Sequence, residues 1–157
     1  MAPLDKKCWH TALRLLTGRD HSCQELCEKL ALRGFIQEQI SPVIQECLRL
    51  NYLDDENFSH VLTQQLRRKG YGVLRIAQAL KKKGLASDLI QACLELHCDH
   101  TKQLQDCLKV LEKKISIQGA HQSRTDTKAR LFRFLNGRGY SFTVIQEAFR
   151  VSALDTF

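Results

Sequence analysis

Apolar residues recur along this chain at intervals of three and four, the mark of helices that bury one face. Trp9, Ala12, Leu13 and Leu16 predict a first helix over residues 4–17, stopped by Gly18. Cys23, Leu26, Cys27 and Leu30 predict a second, ended before Gly34. Its start, Ser22-Cys23-Gln24-Glu25, is a capping box in which Ser22 bonds forward and Glu25 bonds back. A third helix carries Ile40, Val43, Ile44 and Cys47, with Pro42 expected in its first turn, where a missing N–H costs little.

Residues 52–84 predict two more helices. Asp54 and Asp55 open the first as caps, Phe58, Leu62 and Leu66 line its apolar face, and Arg67-Arg68-Lys69 precede its stop at Gly70. The second runs over Val73, Ile76 and Leu80 to Lys81-Lys82-Lys83 and Gly84. Ser87 is then expected to cap a helix bearing Ile90, Cys93, Leu94 and His97. A longer helix covers 101–117, and the polar stretch 118–127 reads as the longest loop. Two last helices follow, from about Asp126 to Gly137 and through Ile145, Ala148 and Phe149, before a frayed tail over 153–157. No stretch alternates long enough to predict a strand.

Alignment of the chain on Gly34, Gly84 and Gly139, spaced 50 and 55 residues apart, exposes a repeat. Four residues before each glycine stands Leu30, Leu80 or Leu135, and one before stands Arg33, Lys83 or Arg138. One after comes Phe35, Leu85 or Tyr140, and six after comes Ile40, Ile90 or Ile145. The expected fold is therefore all-α: three tandem three-helix repeats, over 1–51, 52–98 and 99–152, forming an elongated, curved helical array. Units this small are expected to cover each other's open apolar faces.

Charge sharpens this picture. The chain carries 24 Lys and Arg against 17 Asp and Glu, a net charge of +7. Between Asn57 and Ser87 there are seven cations and no acid. Such a surface favours anionic partners, nucleic acid or an acidic protein face. No apolar run approaches the ~20 residues that span a bilayer, so no membrane role is expected. Seven cysteines without an export signal read as reduced thiols of a cytoplasmic protein, four of them on apolar helix faces.

Catalytic groupings are missing. There is no Walker loop and no G-x-S-x-G, and Gly70-Tyr71-Gly72 and Gly137-Arg138-Gly139 lie at helix ends with no preceding strand. Adjacent Asp54 and Asp55 suit capping better than metal-assisted hydrolysis. Cys93, His97, Cys98 and His100 form one metal-like cluster, but they lack paired zinc knuckles, so buried thiols and a helix-end histidine are the stronger reading. No cofactor, metal or enzymatic activity is expected. Trp9, Tyr52, Tyr71 and Tyr140 read as packing residues rather than base-stacking platforms.

The block Tyr52-Leu53-Asp54-Asp55-Glu56, then Phe58, the cations before Gly70, and Ile76-x3-Leu80-x2-Lys83-Gly84 resemble the signature of the RecX family. So do Ser22-x2-Glu25-Leu26-x2-Lys29-Leu30-x3-Gly34-Phe35 and Ile40, and the likeness extends over about residues 10–150. Departures are Arg19-Asp20-His21 before Ser22, Ala79 before Leu80, and Lys128 at an otherwise apolar repeat position. The resemblance implies a non-enzymatic regulator that binds in the groove of the RecA–DNA filament and inhibits strand exchange, ATP hydrolysis and coprotease activity; a monomer is expected. Its partners would be RecA with single-stranded and also double-stranded DNA. Contact is expected from Arg33, Arg67, Arg68, Lys69, Arg75, Lys81, Lys82, Lys83 and Arg138, with Ser22, Asp54, Asp55, Gly34, Gly84 and Gly139 as structural caps. An autonomous basic helical DNA-binding protein is the alternative.

Overall fold

The computed structural model describes residues 3–118 and 124–152, of which 118 and 124–126 are described as backbone only. Among these residues nine helices and no strand occur: α1 (Lys6–Gly18), α2 (Cys23–Ala31), α3 (Gln37–Arg49), α4 (Asp55–Arg68), α5 (Val73–Lys82), α6 (Ser87–His97), α7 (His100–Gln118), α8 (Arg124–Gly137) and α9 (Phe142–Val151). They form three tandem units, α1–α3, α4–α6 and α7–α9, whose close helix packing stays within each unit.

The repeated leucine–glycine–apolar pattern has a local cause. Gly34, Gly84 and Gly139 all have positive φ, so each second helix of a unit ends in a left-handed turn. The next N–H reaches back to the leucine carbonyl: Phe35 to Leu30 at 3.3 Å, Leu85 to Leu80 at 3.5 Å and Tyr140 to Leu135 at 3.3 Å. This is the Schellman closure, which satisfies free carbonyls and turns the following apolar side chain toward the core.

Each unit has its own core, contrary to the expectation that neighbours cover open faces. Leu26, Leu30, Ile40 and Val43 centre the first, Ile76 and Leu80 the second, and Leu111, Leu131, Leu135 and Ile145 the third. The junctions between units are instead polar, and the two follow one plan. Ser22 Oγ donates to the Lys83 carbonyl at 2.6 Å, and at the corresponding position Gly72 N–H donates to the Arg138 carbonyl at 2.8 Å. The next residue along is capped from the following unit in both cases. Cys23 N–H donates to Asp55 Oδ1 at 2.8 Å, and Val73 N–H to Gln103 Oε1 at 2.7 Å.

Several local expectations change accordingly. Asp54 caps α4 by accepting from Asn57 N–H, whereas Asp55 caps α2 across the junction. Ser22 accepts from Glu25 N–H, but Glu25 does not bond back; its carboxylate pairs with Arg19 at 2.6 Å and Lys83 at 2.7 Å. Pro42 lies in the second turn of α3, because Gln39 accepts the Ile36 N–H and bonds Asp5, adding a turn ahead of the proline. Ala86, not Ser87, holds the cap position of α6, and no side chain bonds there. The ends of the expected 118–127 loop are helical, with α8 starting at Arg124; residues 119–123 and the tail 153–157 lie outside the described residues.

Glu25 makes the first junction sensitive to acid. Burial raises its pKa, but hydrogen bonds from Arg19 and Lys83 and their charges outweigh this and lower it from 4.5 to about 2. A depressed carboxylate pKa adds stability above its unfolded value that is lost as pH falls through the folded one. Urea midpoints should therefore fall as pH drops from 4.5 toward 2. The Glu25→Gln variant should show a shallower fall over that window.

A basic groove between the second and third units

Where α4 ends against α7, the two units leave a groove of about 830 Å³. Gln64, Arg67, Arg68, Lys69 and Gly70 form one wall, Asp106, Lys109, Val110, Lys113, Lys114 and Ile117 the other, and His97, Phe134 and Arg138 close the ends. Seven of these side chains are cationic and one is a carboxylate. The facing surfaces are built by helix periodicity. Lys109 and Lys113 are four residues apart and share a face of α7, and Arg67-Arg68-Lys69 sit at the carbonyl end of α4, where cations are favoured.

The cations divide into fasteners and free charges. Arg67 Nε is 2.7 Å from Asp106 Oδ2, and this half-buried pair ties α4 to α7; the hydrogen bond to Asp106 raises the Arg67 pKa further. Arg138 donates to the Lys69 carbonyl at 2.7 Å and stacks over Tyr71 and Phe134. Lys114 lies over Phe134. Arg68 and Lys69 are exposed. So are Lys109 and Lys113.

The sequence-derived contact residues thus fall in several places. Arg67, Arg68, Lys69 and Arg138 come together in the groove. Arg75 stacks on Tyr71 at 4.4 Å and donates to the Gly137 carbonyl, so it fastens the same junction. Lys81, Lys82 and Lys83 lie at the far end of α5, roughly 15 Å along its axis. There Lys81 and Lys82 are exposed, while Lys83 is held by Glu25. Arg33, exposed on the first unit, donates to the Lys29 carbonyl. Lys109, Lys113 and Lys114 are additions from the fold.

Aromatic side chains serve the scaffold. Tyr140 is fully buried and donates to the Gly70 carbonyl at 3.1 Å; burial pushes its pKa well above the usual phenol value. Trp9 and Tyr52 stack on each other at 6.4 Å. The cysteines are all free thiols; Cys98 is buried in the core of the second unit, and His100 pairs with Glu147, so neither joins Cys93 and His97. Among the described residues no helix is long and apolar enough to cross a membrane.

Comparison with known proteins agrees with this architecture unit by unit. Models of the first, second and third three-helix domains of RecX match residues 8–47, 54–94 and 101–149. The chain is 37% identical over 144 residues to "Regulatory protein RecX" of Legionella pneumophila, covering 92% of this chain and 93% of that one. It is 36% identical over 141 residues to the protein of the same name in Vibrio campbellii, covering 87% and 86%. The crystal structure of RecX from Lactobacillus salivarius has the same fold, with a TM-score of 0.81 at 21% identity and 96% of both chains covered. With its three domains in order and its relatives matched over most of their length, the chain belongs to the RecX family of regulatory proteins.

Proposed function

We propose that the protein binds the RecA–DNA filament and inhibits recombinase, ATPase and coprotease activity, acting as a cytoplasmic monomer that makes and breaks no covalent bond. The observation that carries this reading is the groove between the second and third units, with seven cations facing one carboxylate. Its exposed members, Arg68, Lys69, Lys109 and Lys113, form a surface suited to a string of phosphates or to acidic side chains on a neighbouring protein. Exposed Lys81 and Lys82 form a second, smaller basic patch at the far end of α5. An array of three tandem units suits a partner that is itself extended, which a nucleoprotein filament is.

The same groove favours direct binding to naked DNA as a second reading, and salt separates the two. Phosphate contacts release counterions, so affinity for single-stranded DNA falls linearly on a log–log plot with a slope of about −0.7 for each contact. Titration of single-stranded DNA at two salt concentrations, with and without RecA, should show weak binding alone and much tighter binding to the filament. Equally tight, steeply salt-dependent binding without RecA would favour the autonomous DNA-binding protein.

A further inference from the structure

We propose that His60, Cys93 and His97 form a zinc-binding site on the seam between α4 and α6, at the edge of the basic groove. One ligand atom from each of the three lies within 4.8 Å of the other two. His60 Nδ1 is 2.8 Å from His97 Nε2, and Cys93 Sγ is 3.7 Å from His60 Nδ1. Zinc binds imidazole nitrogen at ~2.0–2.1 Å and thiolate sulfur at ~2.3 Å. Tetrahedral angles then place two nitrogens ~3.3 Å apart and a nitrogen and a sulfur ~3.6 Å apart. The separation of the sulfur from His60 thus already matches that of two zinc ligands. The two rings must move apart by about half an ångström to admit the ion, and Cys93 and His97, within 4.8 Å of each other, close on it from one helix face.

The scaffold supports this arrangement. Cys93 and His97 are one turn apart on α6 and share a face, while His60 comes from the helix packed against it. Thr63 Oγ1, buried 3.3 Å from Cys93 Sγ, is placed to donate to a thiolate. On binding, Cys93 releases its thiol proton to solvent and both imidazoles coordinate as neutral donors. Three protein ligands leave a fourth position, which water fills in sites of this type. His97 also lines the groove, so an ion held here would add positive charge beside the free cations.

The test is cobalt and zinc titration of the full metal-free chain. Cobalt should bind at one equivalent with a sulfur-to-metal charge-transfer band, and zinc should displace it. The band should vanish in Cys93→Ser and persist in Cys98→Ser and in the double variant Cys23→Ser/Cys27→Ser. His60→Gln and His97→Gln should each weaken zinc binding at least tenfold. X-ray absorption of the zinc-loaded wild-type chain, which depends on no variant folding, should give two imidazole nitrogens and a single sulfur. A band that survives Cys93→Ser, a shell with no sulfur or more than one, or no cobalt bound at stoichiometric concentration would overturn the proposal. In the last case the three residues would form a histidine–histidine hydrogen bond with a packed thiol.

Discussion

A single methyl group added at Gly72 should unfasten the second unit from the third while leaving the helices of both intact. Gly72 has an ordinary φ of −86°, so alanine there incurs no backbone strain. Its Cβ, however, would sit 2.5 Å from the Gly139 carbonyl carbon and oxygen and from Tyr140 N, all backbone atoms that cannot rotate away. Gly139 meets the same junction from the other side. A Cβ there would lie 2.5 Å from Arg75 N, and its φ of +92° adds strain. Gly34 is the control, with φ +89° and nothing within 4 Å of an added Cβ. Left-handed strain alone costs ~1–2 kcal/mol, and overpacking ~1–3 kcal/mol. Gly34→Ala should therefore cost about 1–2 kcal/mol, Gly72→Ala about 1–3 kcal/mol, and Gly139→Ala roughly 2–5 kcal/mol.

The shape of the unfolding curve carries as much information as its midpoint. Each unit has a separate core, and domains of about fifty residues are marginal alone. With the junction opened, the third unit should melt ahead of the others, and the urea transition should broaden or split. Gly34→Ala should keep a single transition. A Gly72→Ala protein with wild-type stability and an unsplit curve would show that this junction does not couple the units.

Reversal of the groove charges should have the largest effect on binding. Arg68→Glu/Lys109→Glu/Lys113→Glu replaces exposed cations on both walls and leaves the Arg67–Asp106 and Arg138–Lys69 fasteners in place. Each reversal exchanges attraction for repulsion, on the order of 1 kcal/mol even in high dielectric. The triple variant should bind RecA filaments on single-stranded DNA at least ~100-fold more weakly, which is about 3 kcal/mol. Its helicity and melting temperature should stay near wild type. Lys81→Glu/Lys82→Glu, at the other end of α5, should weaken binding by less than about tenfold. Lys83 is best left alone in that comparison, because a carboxylate there would face Glu25 and disturb the first junction. Equal losses in the two variants would place the contact across both surfaces.

What could be read in the sequence was what short-range geometry decides. The closure at Gly34, Gly84 and Gly139 involves residues within five positions of one another, so the leucine, the glycine and the apolar residue after it stand together in the chain. The partner of Asp55 could not be read that way, since Cys23 lies in another unit and is brought near only by stacking. Lys83 looked like a surface charge for the same reason; its partner Glu25 is 58 residues away. The α7 wall of the groove was overlooked because Asp106 and Glu112 are interspersed with Lys109, Lys113 and Lys114, which hides the imbalance in a linear count. The four-residue spacing of Lys109 and Lys113 was the available signal, and projecting α7 on a helical wheel would have found it. His60 gave no hint of its place beside Cys93 and His97, because the packing of α4 on α6 alone makes them neighbours.

The most direct measurement is the rate of ATP hydrolysis by RecA on single-stranded DNA as the wild-type protein is added at substoichiometric to equimolar concentrations, beside the groove triple variant. Hydrolysis should fall with the wild-type protein and hold its uninhibited rate with the variant over the same range. An unchanged rate with the wild-type protein, or equal inhibition by both, would contradict a basic groove that grips the recombinase filament.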